Sequence, residues 1–171
     1  MRKFSHRCPT SGATKISTAS DPTSKRPTYL IDANVVSESR KRGRANSGVI
    51  DFFERATLTG QMLYFAAVSL GEIRRGVEII RYRGDAEQVH RLETWLNLIV
   101  RQYENRILPF DVESAQMWGR LRVPDPDDAI DKQIAAIALV NNLTVVTRNT
   151  RDFLKAGVKV LNPFSAEPSS A

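Results

Sequence analysis

The stretch TYLIDANVV, residues 28–36, begins as an apolar run and then places two polar side chains close together. Its aromatic and β-branched residues are typical of a short buried strand. The run ends at Asp32, and Asn34 follows two residues later. In α/β proteins, ligands bind at the carboxyl ends of parallel strands. Asp32 is therefore a candidate functional residue, although an aspartate at this position can also close the strand with an Asx turn.

Beyond this stretch, strand-like and helix-like segments alternate along the chain. Short apolar runs predict further strands at residues 62–69, 106–110, 143–147 and 158–163. Apolar residues at three- and four-residue spacing predict helices at residues 47–58, 69–82, 85–104, 111–122 and 127–141. Strands separated by helices imply parallel pairing with helical crossovers. The pattern therefore predicts a layered α/β domain.

The first 27 residues differ in composition from the rest of the 171-residue chain. They are rich in Ser, Thr, Lys, Arg and Pro and contain too few apolar residues to bury a core. We therefore expect a disordered basic extension at residues 1–27, one domain at residues 28–165 and a disordered tail at residues 166–171.

The positive charge of the chain is concentrated in its N-terminal part. Residues 1–44 contain ten Lys and Arg residues against three acidic ones, whereas residues 45–171 contain 15 basic and 16 acidic residues. The sequence pI of about 9.8 is therefore weak support for nucleic-acid binding by the domain.

The composition excludes several classes of protein and site. Cys8 is the single cysteine, and His6 and His90 are the two histidines. An internal disulfide is thus impossible, and a zinc site built from Cys and His is not expected. No apolar run approaches the roughly 18 residues of a membrane span, and no secretory h-region is present. These features predict a cytoplasmic protein without a membrane partner.

Glu72 lies in the stretch SLGE, residues 69–72, at the predicted start of a helix. Ser69 and Glu72 have the spacing of a capping box, in which each side chain binds a backbone N–H of the first turn. That role alone explains the glutamate. The position also follows a predicted strand, so Glu72 is expected at the sheet edge that presents Asp32, where a capping carboxylate can still offer an oxygen to a metal.

Asp131 lies in the helical stretch at residues 127–140. The predicted buried stripe of this helix consists of Ile130, Ile134, Ile137 and Ala138. At about 100° per residue, Asp131 falls within that stripe. An acid in the first turn favours the helix dipole, but the two preceding aspartates can fill that role as well. A carboxylate on the core-facing side is unfavourable unless a positive group meets it, which favours a functional role.

A further polar group follows the predicted strand at residues 143–147. The stretch TRNTRDF, residues 147–153, contributes Thr147, Asn149 and Asp152. Alone it is also explained as a polar loop with Asx turns. Carboxylate and amide oxygens without His or Cys suit Mg²⁺ or Mn²⁺.

Basic residues provide candidate contacts to nucleic-acid phosphates. The cluster SRKRGR, residues 39–44, contributes four of them, and two more follow Glu72 on its helix. The candidates are Arg40, Lys41, Arg42, Arg44, Arg74 and Arg75. A solvated charged surface explains the same residues equally well.

The order of these motifs along the chain resembles that of the PIN-domain ribonucleases. The motifs are a strand followed by Asp-x-Asn, then Ser-x-x-Glu, then DKQIAAIAL (residues 131–139) and LTVVTRNTRDF (residues 143–153). Among these ribonucleases the chain is most similar to the VapC-type toxins of bacterial toxin–antitoxin pairs. The resemblance extends from about Tyr29 to Phe164. It implies a three-layer α/β/α PIN-like domain with a central, mostly parallel sheet.

The resemblance also implies an activity and its residues. Asp32, Glu72 and Asp131 match the acidic metal ligands of the family and are the expected catalytic residues. Asn149 stands where the family has a fourth acid, and Asp152 is a further candidate ligand. The implied activity is hydrolysis of RNA phosphodiester bonds with Mg²⁺ or Mn²⁺. The implied partners are an RNA substrate, a small cognate antitoxin and a second copy of the chain.

Two other functions are compatible with parts of the pattern. A non-catalytic PIN-like protein can keep the fold and bind nucleic acid through its basic loop. A phosphatase of the haloacid-dehalogenase type also begins with an aspartate after a strand, but it needs a second aspartate where this chain has Asn34.

Overall fold

The computed structural model describes residues 27–165. The predicted N-terminal extension lies outside these residues except for Pro27, and the predicted tail at residues 166–171 lies outside them entirely.

The described residues alternate between short strands and longer helices. The first half contains β1 (Tyr29–Ile31), α1 (Ala33–Ser39), α2 (Ser47–Leu58), β2 (Leu63–Ala66), α3 (Ala67–Tyr82) and α4 (Ala86–Gln102). The second half contains β3 (Ile107–Leu108), α5 (Val112–Leu121), α6 (Ala129–Val140), β4 (Thr144–Val146), α7 (Thr150–Lys155) and β5 (Val160–Leu161). Within residues 27–165, no helix is both long and apolar enough to cross a membrane.

The five strands form one parallel sheet in the order β3-β2-β1-β4-β5. The chain proceeds outward from β1 to β3 and then returns to the other side of β1 as β4. The boundary between β1 and β4 is therefore the switch point of the sheet, where α/β proteins bind ligands.

Alternate residues of the strands pack into two separate cores, one on each face of the sheet. On β1, Tyr29 and Ile31 join the core formed with α1, α2, α3 and α4. Leu30 joins the other core, which includes Ile134 of α6 and Phe153 of α7. This alternation is the two-residue period of a strand, and it produces helices on both faces. The predicted layered α/β fold is confirmed as a three-layer α/β/α domain.

Two helices were not predicted from the sequence. The segment after Asp32 forms α1 rather than a turn, and the segment after Asn149 forms α7 where a polar loop was expected. Asp32 and Asn149 are the N-cap residues of these helices, and Asp and Asn are common both at turns and at N-caps. The two helices are also short, with seven and six residues. A short helix that begins this way has too few residues to show a helical period.

The predicted capping box at the start of α3 is wrong. The helix begins at Ala67, so the strand before it is shorter than predicted and Ala66 occupies the N-cap position without a side-chain cap. Ser69 lies in the first turn instead, fully buried, and its hydroxyl group has no hydrogen-bond partner.

The predicted buried stripe of α6 is also narrower than expected. Ile130 is 39% exposed, and the buried residues of the helix start at Ile134. The first turn of α6 therefore lies at the edge of the core, and Asp131 is only half-buried there.

Candidate active site

The parallel register brings two polar strand ends together at the switch point. Ile31 pairs with Val146, so the residues that follow them, Asp32 and Thr147, leave the sheet side by side. The backbone N–H of Asp32 donates to the Val146 carbonyl oxygen at 3.0 Å. The end of β2 lies on the other side of β1, where Phe65 pairs with Ile31.

Asp32 is buried and fixed by hydrogen bonds from two side chains and from the backbone of Ala33 and Asn34. Its Oδ2 atom accepts from Thr147 Oγ1 at 2.7 Å and from Asn34 Nδ2 at 2.7 Å. Burial raises the pKa of the Asp32 carboxyl group, and the hydrogen bond from Thr147 acts in the opposite direction. The carboxylate is therefore oriented by polar neighbours but has no cationic partner among them.

Asp131 lies in the first turn of α6, and two features set the direction of that turn. Asp128, which precedes the helix, has a left-handed conformation with φ of 53°, which aspartate tolerates better than most residues. Trp118 Nε1 on α5 donates to the Ala129 carbonyl oxygen at 3.1 Å. Together they direct the half-buried Asp131 side chain toward the loop that follows β4.

Asn149 connects the carboxylates. Its Nδ2 group donates to Asp131 Oδ2 at 2.8 Å and to Asp152 Oδ2 at 2.8 Å. Its backbone N–H donates to Thr147 Oγ1 at 3.0 Å, and Thr147 in turn binds Asp32. We call Asp32, Asp131 and Asp152 the acidic cluster. In this orientation Asn149 is a hydrogen-bond donor that links the cluster, and its amide oxygen is not the atom that faces Asp131.

The acidic cluster has an excess of negative charge. Burial and the charge of Asp32 raise the pKa of Asp131 to about 6, against the hydrogen bond from Asn149, and Asp152 and Asp128 add to the increase. Lys155 Nζ lies 3.7 Å from Asp152 Oδ1, and the raised pKa of Asp131 indicates that this cation does not compensate the charge around Asp131. A divalent cation with oxygen ligands fits this donor set, because it would supply the missing positive charge.

Glu72 lies further along α3 than predicted, in its second turn, and is half-buried. The parallel pairing of β1 and β2 brings the start of α3 to the same sheet edge as Asp32. Within residues 27–165, however, no three Asp, Glu, His or Cys side chains lie close enough together to hold a metal ion as they stand. The structure thus joins Asp32, Asp131 and Asp152 through hydrogen bonds and does not join Glu72 to them in that way.

The candidate phosphate-binding residues lie in different surroundings. Lys41 Nζ donates to Glu38 Oε2 at 2.6 Å, and the Arg40 guanidinium carbon lies 5.3 Å from the ring centroid of Trp95. Arg74 is paired with Glu93 at 3.0 Å and with Glu78 at 3.5 Å on the outer surface of α3 and α4. Arg44 and Arg75 are exposed, and the side chain of Arg42 lies outside the described part of the chain.

Two charged residues near the acidic cluster were not predicted from the sequence. Arg148 lies between Thr147 and Asn149, and Glu38 is a buried carboxylate on α1. The alternation of buried and exposed residues at a strand end would have indicated Arg148, because Thr147 was already a candidate. Glu38 gives no such signal, since nothing in its local sequence indicates burial.

Comparison with known proteins places these features in a family. The PIN domain pattern matches residues 29–159. The chain is 33% identical to toxin FitB of Neisseria gonorrhoeae over 141 residues, which cover 79% of this chain and 97% of that protein. It is 26% identical over 142 residues to VapC ribonuclease Y4jK of Sinorhizobium fredii, covering 79% of this chain and 96% of the relative. The crystal structure of FitAcB from Neisseria gonorrhoeae superposes with a TM-score of 0.70 at 31% identity, covering 81% of this chain and all of that chain.

Proposed function

The chain belongs to the PIN-domain family, and from this membership and the acidic cluster we propose that it is a metal-dependent endoribonuclease that acts as the toxin of a toxin–antitoxin pair. The observation that carries the proposal is the hydrogen-bonded cluster of Asp32, Asp131 and Asp152 at the switch point of the sheet. The names of the similar proteins, a toxin and a ribonuclease, support the same conclusion.

Asp32 and Asp131 would hold Mg²⁺ or Mn²⁺, with Glu72 completing the set and Asp152 as a further ligand. Asn149 would contribute its oxygen only after its amide group turns around. When bound, such a cation lowers the pKa of a water molecule and offsets the negative charge that develops on the phosphodiester.

The side chains around the acidic cluster prepare it for this chemistry. Thr147 and Asn34 both donate to Asp32 Oδ2, and the backbone of Ala33 and Asn34 also donates to this carboxylate, so its position is fixed before a cation binds. The Nδ2 group of Asn149 donates to both Asp131 and Asp152 and so keeps these two carboxylates close together. Ligands that are already positioned lose little conformational entropy when they bind.

The partners proposed with this function are an RNA substrate, a small cognate antitoxin and a second copy of the chain. The toxin name of the FitB relative supports an inhibitory partner, since a toxin encoded by its own host has to be held inactive. We propose that the antitoxin blocks access to the acidic cluster and that the active protein is cytoplasmic.

A cleavage assay on the purified full chain tests the proposal. We expect Mg²⁺ to support RNA cleavage and EDTA to abolish it. Asp32→Asn, Asp131→Asn and Glu72→Gln should each lower the rate by about 100-fold or more, because each removes a ligand charge. Asp127→Asn, which neutralises an exposed carboxylate just before α6, is the matched control and should keep the wild-type rate.

Two results would decide against metal-dependent cleavage. Full activity of Asp32→Asn or Asp131→Asn would remove these residues from the site. RNA binding without cleavage under all metal conditions would leave the non-catalytic alternative, a PIN-like protein that binds nucleic acid.

A further inference from the structure

Arg148 lies between the two residues that link the acidic cluster, yet its side chain is on the surface. Its backbone N–H donates to Asn34 Oδ1 at 3.2 Å, so the main chain here is held beside Asp32. Thr147 is completely buried, whereas the Arg148 side chain is 61% exposed. The alternation of buried Thr147 and exposed Arg148 places a positive charge at the edge of the acidic cluster.

Two contacts position the Arg148 guanidinium and leave it open to solvent. Its central carbon lies 4.0 Å from the ring centroid of Phe164, which is a cation–π contact. A terminal nitrogen lies 3.7 Å from Glu38 Oε2. The ring contact occupies a face of the guanidinium, whereas its N–H donors lie in the guanidinium plane. Several donors therefore remain available for an anionic ligand.

Glu38 is itself fixed in position. Its Oε1 atom accepts from the backbone N–H of Asn46, the N-cap residue of α2, at 3.1 Å. Its Oε2 atom accepts from Lys41 Nζ at 2.6 Å, and that hydrogen bond lowers the pKa of the Glu38 carboxyl group. Because one carboxylate is shared by Lys41 and Arg148, this surface keeps a positive charge in excess.

A phosphate group is the anion that fits this arrangement. The planar N–H groups of a guanidinium match two oxygens of a phosphate, and charged donors make stronger hydrogen bonds than neutral ones. An acidic cluster repels a polyanion, so an adjacent cation is needed to hold the polymer there. We infer that Arg148 binds a backbone phosphate of the RNA beside the cleavage site, and that Phe164 and Glu38 position it. This inference rests on the proposed function for the identity of the polymer.

Binding of RNA in the absence of metal tests the inference without cleavage. The probe is a short fluorescein-labelled single-stranded RNA of mixed sequence, titrated with the full chain in EDTA at several KCl concentrations. Arg148→Gln keeps the side-chain length and removes the charge, whereas Arg148→Lys keeps the charge. Arg101→Gln, which removes an exposed charge at the end of α4, is the matched control.

We expect Arg148→Gln to weaken binding about five-fold near 0.1 M salt, and to reduce the slope of log K against log salt by about 0.7, as for one phosphate contact to a single strand. Arg148→Lys should keep most of the slope, and Arg101→Gln should change neither quantity. Phe164→Leu tests positioning, because it changes no charge. We expect it to weaken binding about two- to five-fold at an unchanged slope, as for loss of an exposed cation–π contact.

Equal binding by Arg148→Gln and Arg101→Gln would overturn the inference, and Mg²⁺-dependent cleavage by the wild type would leave the proposed function standing. A binding defect of Arg148→Gln toward duplex DNA of the same sequence, but not toward the RNA, would also overturn it. If Arg148→Gln shows the expected RNA-binding defect but the wild type does not cleave RNA, the phosphate contact is supported. Only the nuclease proposal is then overturned.

Discussion

The carboxyl group of Asp131 lies half-buried near three other aspartates, Asp32, Asp152 and Asp128. Burial and these charges raise its pKa to about 6 from an ordinary value of 3.8. The folded carboxyl group therefore keeps its proton at pH values where the unfolded one has lost it. Between pH 3.8 and about 6 the folded state binds more protons than the unfolded state, so this group lowers stability as the pH rises through that window.

Asp131→Asn should accordingly stabilise the metal-free protein at neutral pH. Asparagine removes the charge and keeps an oxygen that can accept from Asn149. We expect a gain of about 1–2 kcal/mol in the free energy of unfolding at pH 7 in EDTA, after allowance for the solvent that reaches this half-buried group. The gain should shrink as the pH falls through this window and disappear near about pH 3, where the wild-type carboxyl group is protonated in both states.

Urea unfolding at the two pH values measures this difference, with Asp127→Asn as the control for a carboxylate outside the cluster. Equal stabilities of Asp131→Asn and the wild type at pH 7 would show that the carboxylates do not repel one another in the folded chain.

At the level of the elements, α3 starts two residues earlier than its sequence suggests. Ser69 and Glu72 have the spacing of a capping box, but β2 ends at Ala66 and the helix begins at once. The tertiary structure fixes this boundary, because the alternation of β2 buries Phe65 in one core and Ala66 in the other. The Ser69 hydroxyl group is left inside the protein without a partner.

Ser69→Ala should therefore stabilise the protein. The change removes an unsatisfied hydroxyl group and introduces a better helix former, for an expected gain of up to about 1 kcal/mol. A capping role would instead produce a loss of about 1 kcal/mol. Thermal unfolding distinguishes the two signs, and Ser114→Ala on α5, whose hydroxyl group is also buried without a partner, should shift in the same direction.

Local patterns predicted those features that depend on neighbouring residues in the chain. The helix predicted at residues 47–58 coincides with α2, and the helix predicted at residues 111–122 forms as α5, where Asp111 Oδ1 accepts from the Ser114 N–H at 2.8 Å. The link from Asn149 to Asp131 could not be predicted, because the direction of an amide group depends on residues distant in sequence. Burial of Glu38 depends in the same way on α2 and on the loop after β4.

For the whole molecule, the acidic cluster joins the two halves of the sheet at its switch point. Asp32 follows β1 and belongs to the first half of the chain, whereas Asp131 and Asp152 come from helices on either side of β4. A cation bound between them would connect segments that are distant in sequence. Its binding free energy would then add to the stability of the whole domain.

Mg²⁺ should therefore raise the melting temperature of the wild-type chain. When the free Mg²⁺ concentration is about 100 times the dissociation constant, a ligand that binds only the folded state adds about 2.7 kcal/mol to the free energy of unfolding. This corresponds to an increase in melting temperature on the order of 5–10 °C. The increase should be lost in Asp131→Asn. KCl at the same ionic strength should not produce it in the wild-type chain. Differential scanning fluorimetry gives the result, and an equal Mg²⁺ shift in Asp131→Asn would place the cation elsewhere on the protein.

The three residues Thr147–Arg148–Asn149 are the whole connection between β4 and α7, so its length cannot change without moving their side chains. Its outer two side chains bond to the acidic residues, while its middle one stacks on Phe164 at the surface. Inserting or deleting a single amino acid here would exchange the inward and outward positions. The Arg148 guanidinium would then face the acidic cluster, and the Asn149 amide would face the solvent. Engineered tags or grafted peptides therefore belong at the exposed connection around Gly84, between α3 and α4. A change of length there leaves the contacts of the acidic cluster and of Arg148 in place.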